Sequence, residues 1–161
     1  MSGITPDVSG RTLKKLRTIA NYQFGKGAGR ALFSDGCDFM LSSSGHVRQI
    51  FENGKRIATL RAQDGLFTLG IEGAKKLHAA FPCPRLRVTM RKDVTKFISD
   101  GKSAFAKHIV DVDDEIRVGE EVLLVDENDN LIATGQAVLC ADEMRCLRRG
   151  VAVRVRDRNV I

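Results

Sequence analysis

No two of the four cysteines, Cys37, Cys83, Cys140 and Cys146, form a C-x-x-C pair. That spacing excludes a zinc knuckle and leaves inert thiols of a reducing compartment as the expectation. No apolar run approaches the roughly 20 residues needed to span a bilayer. The opening MSGITPDVSGR lacks the basic-then-apolar order of a signal peptide. The expected setting is therefore cytoplasmic, away from membranes. There is no internal repeat, no low-complexity tract, no catalytic triad and no metal-ligand set, so neither cofactor nor metal is expected. GKGAGR at 25–30 lacks the G-K-[ST] of a phosphate loop and follows a predicted helix instead of a strand. The acidic run Asp111, Asp113, Asp114 and Glu115 lacks the glycine and terminal glutamate of a calcium loop, and reads as an acidic turn.

What is present suits a folded protein with a polyanionic partner. With 161 residues, 43% of them hydrophobic, the chain has enough apolar content for one ordinary domain or two small ones. Lysine and arginine number 26 against 20 acidic residues, a net charge of +6. Such a surplus favours nucleic acid.

Hydrophobic spacing supplies the organisation. Leu13, Leu16, Ala20 and Phe24 recur at helical intervals, with Asp7 and Ser9 as candidate N-caps. The three glycines of GKGAGR are expected to end this helix in a mobile basic loop. CDFMLSS reads as a strand turning at Ser43, Ser44 and Gly45. HVRQIFE and KRIATLRA are joined by Asn53-Gly54, the dipeptide a two-residue hairpin prefers. LFTLGIEGAKKLHAAF reads as a strand and a helix with Ile71, Ala74, Leu77, His78 and Phe81 inward. Pro82-Cys83-Pro84 forbids helix continuation and sets the expected boundary: a first domain at 1–84 and a second at 85–161. In the second, RLRVTM, AFAKHIVDV, EVLLVD, LIATGQAVL and VAVRVR alternate as strands. VTKFISDG and ADEMRCLRRG are short helices, ended by Gly101 and Gly150. The fold class is α+β: a small N-terminal α/β-sandwich-like domain, then a mixed β-barrel with two short helices.

The second half resembles a PUA domain, an RNA-binding barrel. The resemblance is carried by Gly101, Phe105 to Lys107, Gly119 to Val122, Ala133 to Gly135, and Gly150 to Arg156. With LRTIANYQFGKGAGRALF and ATLRAQDGLFTLGIEGAKKL, the chain is similar to the C-terminal region of archaeosine tRNA-guanine transglycosylase. The archaeosine synthase family has a related arrangement. In these enzymes accessory domains hold tRNA while a separate TIM barrel exchanges a base in the D-arm. This chain opens on Met1 and has no room for a barrel of about 250 residues. It carries neither that barrel's zinc-binding cysteines and histidine nor a locatable counterpart of its catalytic aspartates.

The resemblance implies a tRNA-binding accessory protein, itself no enzyme, whose partners are tRNA and a separate catalytic transglycosylase subunit. The alternative is a scaffold subunit without tRNA binding of its own. The candidate RNA-binding residues are Gly101, Lys102, Ser103, Lys107 and His108 in the first cluster, and Arg145, Arg148, Arg149, Arg154 and Arg156 in the second. Lysine offers phosphate a mobile charge, serine a hydroxyl, and glycine a close backbone approach. Phe105 is expected in the core, sharing a face with Ile109. Lys14, Lys15, Lys26 and Arg30 form a candidate secondary patch.

Overall fold

The computed structural model describes residues 4–5 and 10–159. Asp7 and Ser9 lie outside the described residues. The chain divides into two units, the first ending at Ala80 and the second beginning at Phe81.

In the first unit, helix α1 (Gly10–Phe24) buries Leu13, Leu16, Ala20 and Phe24, the stripe that the spacing predicts. GKGAGR ends α1 as expected, but its second half is not a loop: a second helix, α2 (Ala28–Leu32), begins after Gly27, with Ala28, Gly29 and Leu32 buried. The physical reason lies in Gly29. A Cβ there would stand 2.4 Å from the carbonyl oxygen of Arg17, so glycine lets α2 pack directly on the backbone of α1. The Asn21 side-chain oxygen accepts from the Gly29 amide at 2.8 Å, and Arg17 Nε donates to the Phe33 carbonyl at 2.9 Å, fastening the corner.

The sheet of this unit is an antiparallel meander, β1 (Ile4–Thr5), β2 (Asp38–Leu41), β3 (Val47–Glu52), β4 (Lys55–Leu60) and β5 (Phe67–Leu69), in that spatial order. Asn53 and Gly54 form the β3–β4 turn with φ values of +53° and +76°. Met40 pairs with Gln49 and Leu41 with Val47, so Arg48 is the extra residue of a β-bulge. The bulge accounts for the broken alternation between Val47 and Ile50. Helix α3 (Ile71–Ala80) buries Gly73, Ala74 and Leu77; Phe81, just past the helix end, is buried as expected, while Ile71 and His78 are half-buried rather than inward. A polar knot ties elements together: Glu52 accepts from Ser34 Oγ at 2.8 Å and from Lys76 Nζ at 3.0 Å. These bonds, Ser34's first, hold the Glu52 carboxyl below its usual range. Burial pushes the Cys37 thiol beside it up, so it stays protonated.

The second unit is a mixed six-stranded, nearly closed barrel. Its order is β7 (Ala104–Phe105), β11 (Val151–Arg158), β10 (Leu131–Ala137), β9 (Glu121–Val125), β6 (Arg87–Met90) and β8 (Ile109–Val112). Only β6 and β9 run parallel. All five residues of β9 are buried, as expected of a central strand covered on both faces. The core joins Val88, Met90, Val122, Leu124, Ile132, Ala152 and Val153 to Ile98 of α4 (Thr95–Ser99) and Met144 of α5 (Ala141–Leu147). Helix α4, at five residues, is too short to be stable alone. Burial of Ile98 and Val94, at about 1.5–3 kcal/mol for a fully buried aliphatic side chain, holds it down. AFAKHIVDV is not one strand: a 3-10 turn at Ala106–His108 separates β7 from β8. Cys140 is the N-cap of α5, and its amide donates to Glu143 Oε1 at 3.0 Å in a capping box. The four cysteines are free thiols.

Candidate nucleic-acid interface

The C-terminus of α4 builds the central turn. The Gly101 amide donates to the Ile98 carbonyl at 2.9 Å and the Lys102 amide to the Phe97 carbonyl at 3.0 Å. This is a Schellman closure with Gly101 at φ +94°, a conformation that side chains resist. The reversal throws Lys102 and Ser103 forward and delivers the chain into β7, which pairs antiparallel to β11 with Phe105 opposite Val151 and Ala104 opposite Val153.

A groove of about 430 Å³ opens beside this turn, its lining including Arg91, Asp93, Phe97, Lys102, Ser103, Phe105 and His108. Its wall is aromatic on the solvent side. Phe97 is 59% exposed and Phe105 41% exposed. Phe105 is thus not in the core. The 3-10 turn that follows it breaks the strand parity and separates its face from that of Ile109, which is buried. His108 is half-buried, and its Nδ1 is enclosed without a hydrogen-bond partner in the protein. Burial, aided by the Arg91 and Lys107 charges and opposed by Asp93, pulls the imidazole pKa down, so the ring is neutral at pH 7.

The structure gathers some of the expected residues and disperses others. Lys102, Ser103 and His108 share the groove, and Gly101 forms the turn beside it, against Arg158. Lys107 is exposed on the 3-10 turn and does not line it. Arg148 and Arg149 are exposed at the end of α5, and Arg148 adopts φ +50°. The Ala106 amide donates to the Gly150 carbonyl at 2.9 Å, tying that turn to the groove's strand. Arg154 is exposed on β11, one residue beyond the Ala104 pairing. Arg145 goes elsewhere: it donates to the Val112 carbonyl at 2.8 Å and pairs with Asp114, clamping α5 to the barrel edge. Arg156 is the extra residue of a bulge between Thr134 and Gly135 of β10, and donates to Gln136 Oε1 at 3.0 Å. Lys14 and Lys15 are exposed on α1, Lys26 precedes α2 and Arg30 is exposed on it, all in the first unit.

Sequence reasoning missed Arg158. A Cβ on Gly101 would stand 2.8 Å from Arg158 Nη1, so this guanidinium lies against the central turn. The alternation Arg154, Arg156, Arg158 carries the signal. Phe97 was also missed, although its place one residue before buried Ile98 sets it off the inward stripe of α4. Lys102, Lys107, Arg148, Arg149, Arg154 and Arg158 have no side-chain hydrogen bond or ion pair among the described residues. Two aromatic faces, uncommitted cations and a hydroxyl are the equipment for a polynucleotide strand: cations for phosphate, flat apolar surface for sugar or base. Among the described residues there is no group of three or more metal-ligating side chains, and no helix is long and apolar enough to cross a membrane.

Comparison with known proteins agrees with the two-unit division. Residues 14–84 match the family model of the patch-forming domain C2 of tRNA-guanine transglycosylase, and residues 86–158 match the PUA domain. The chain is 48% identical over 147 residues to the tRNA-guanine(15) transglycosylase of Thermococcus kodakarensis, a match covering 91% of this chain and 25% of that protein. It is 50% identical over 141 residues to the Pyrococcus furiosus counterpart, covering 88% and 24%. It therefore spans about a quarter of the length of these curated relatives. In fold it is similar to a Pyrococcus horikoshii protein with a TM-score of 0.73 at 21% identity, covering 98% of this chain and 94% of that one. A conserved PUA domain protein from Thermoplasma acidophilum gives 0.67 at 21% identity, covering 100% and 95%. The matched domains are non-catalytic. The chain carries a transglycosylase-type C2 domain followed by a PUA domain, the arrangement of the C-terminal region of archaeal tRNA-guanine transglycosylases.

Proposed function

We propose that this chain holds tRNA for archaeosine formation while a catalytic transglycosylase barrel on another polypeptide performs the base exchange. The PUA unit docks on a helical stem, the acceptor stem being the natural target, and the C2-type unit helps present the D-arm. The observation that carries this reading is the groove beside Gly101, where Lys102 and Ser103 line the same wall as two exposed phenylalanines and Arg158 lies against the turn, in a chain 48% identical over 147 residues to part of a tRNA-guanine(15) transglycosylase. An RNA duplex is gripped through shape, phosphates and 2′-hydroxyls, which needs such donors and no catalytic group. The candidate contacts are Gly101, Lys102, Ser103, His108, Arg148, Arg149, Arg154 and Arg158, with Lys107 at the margin. Arg145 and Arg156 are set aside, because each is engaged within the protein.

The test is tRNA affinity across a salt series. Neutralising about six phosphates gives a log–log slope of roughly −4 to −5. Absence of tRNA binding at low salt, with retention of a transglycosylase barrel in a pull-down, turns the reading into that of a protein scaffold. Adding the barrel and labelled base to the chain and tRNA tests the division of labour: exchange is expected only with the barrel present.

A further inference from the structure

In the first unit the β2–β3 turn and the β4–β5 turn stand at the same end of the meander, because successive hairpins of an antiparallel sheet alternate ends. Between them lies a groove of about 550 Å³, lined by Ser42, Ser44, His46, Arg48 and Arg61, with Lys15 reaching it from α1. Two features make it more than a solvated face.

Arg48 is the bulge residue of β3, half-buried and without a hydrogen bond or ion pair among the described residues. Bulges re-aim side chains, and a partly desolvated cation without a counter-charge is unfavourable unless an anion joins it. Ser42 and Ser44 hydroxyls lie 2.9 Å apart, and Ser42 Oγ accepts from the His46 amide at 3.2 Å. A hydroxyl pair sharing one hydrogen bond leaves one hydroxyl proton to donate elsewhere. Arg61, by contrast, is held by Asp64 through bonds of 3.1 and 2.9 Å. It contributes shape and little net charge, leaving Lys15 and Arg48 as the cations.

We propose that this groove is a phosphate site of the C2-type unit, taking backbone phosphates of RNA through Lys15, Arg48 and the Ser42–Ser44 hydroxyl pair. The proposal rests on the tRNA-holding reading and gives the first unit a grip of its own. Two cations at one end of a small sheet suit two neighbouring phosphates of a strand, and the apolar floor of Val47 and Leu60 admits the sugar edge between them.

The experiment compares the full chain with the double variant Lys15→Ala, Arg48→Gln and with Arg48→Lys, all shown by thermal melting to be folded. Salt dependence of whole-tRNA binding is the readout. Loss of two phosphate contacts makes the slope shallower by about 1.4–1.8, from 0.7–0.9 for each contact. Arg48→Lys, which keeps the charge, holds the wild-type slope. An unchanged slope in the double variant, with wild-type tRNA binding intact, overturns the groove and leaves the functional reading standing. A wild-type chain that fails to bind tRNA at low salt sinks both. In a parallel arm, inorganic phosphate at fixed ionic strength is titrated while the Arg48 Nε–H resonance is followed. Saturation at low millimolar phosphate together with an unmoved resonance on adding tRNA assigns the groove to a small free anion and overturns the proposal. A tRNA-induced shift supports it.

Discussion

Two margins of the PUA barrel hold arginines in opposite circumstances. Along the α5–β8 margin Arg145 is held by Asp114 and by the Val112 carbonyl, and on the same unit Arg87, 2% exposed, donates to Asp129 at 3.0 Å and to the Arg85 carbonyl at 2.9 Å. Along the Gly101 margin Lys102, Arg154 and Arg158 have no such partners among the described residues. The difference teaches that the +6 excess is not spread as a uniform coat. One set of guanidiniums is consumed in holding the fold, and another stays available for a ligand. A buried ion pair is costly to break because the surviving charge is stranded, whereas an exposed cation adds little to stability.

That contrast breaks most visibly at Asp129. Asp129→Ala removes a charged acceptor from the buried Arg87 guanidinium and, because Asp129 is itself 37% exposed, is expected to cost about 2 kcal/mol in urea unfolding, without changing the salt slope of tRNA binding in the folded fraction. The mirror experiment is Lys102→Ala, Arg158→Ala. Here unfolding is expected to move by less than about 0.5 kcal/mol, while the tRNA slope becomes shallower by about 1.4–1.8. If this double variant melts early and binds normally, the division between the two margins is wrong. Gly101→Ala falls between them. Its Cβ meets only the flexible tip of Arg158, so the cost comes from φ +94° and is about 1 kcal/mol. Reshaping of the turn that launches Lys102 is expected to weaken tRNA binding beyond that stability loss.

How far the sequence disclosed this contrast depends on the range of the interactions involved. The α1 stripe, the Asn53-Gly54 hairpin, the Gly101 closure and most barrel strands follow from local periodicity and turn chemistry, and they are present. What escaped depends on contacts distant in sequence. Nothing in GKGAGR announces that Gly29 lies on the Arg17 backbone, which turns an expected loop into α2. Nothing local tells Arg145 from Arg148: the first reaches Val112 and Asp114 across the fold, the second points to solvent. The spacing of Phe105 and Ile109 points to a shared core face only along a continuous strand, and the 3-10 turn at Ala106–His108 breaks that parity. Arg158 was legible as the next step of an alternating run.

The smallest effect tests whether RNA enters the groove itself or only passes its rim. His108 titrates below its ordinary range, chiefly because it is buried and then because Arg91 and Lys107 oppose a further charge, with Asp93 acting the other way. For the free protein, stability is full above the unfolded-state value of about 6.5. It declines as pH falls from there toward the folded-state pKa, because the unfolded chain takes up a proton that the native imidazole declines. His108→Gln is expected to flatten that decline. A phosphate seated against the ring reverses the electrostatics by favouring the imidazolium, so tRNA binding is accompanied by proton uptake and affinity rises as pH falls toward the lowered pKa of the free protein. Titration of binding between pH 5 and 7.5 at constant ionic strength, with wild type beside His108→Gln, separates the cases. A rise in wild type that the variant lacks puts phosphate at the imidazole. Parallel curves leave Lys102 and Arg158 as a rim grip and keep the strand out of the groove.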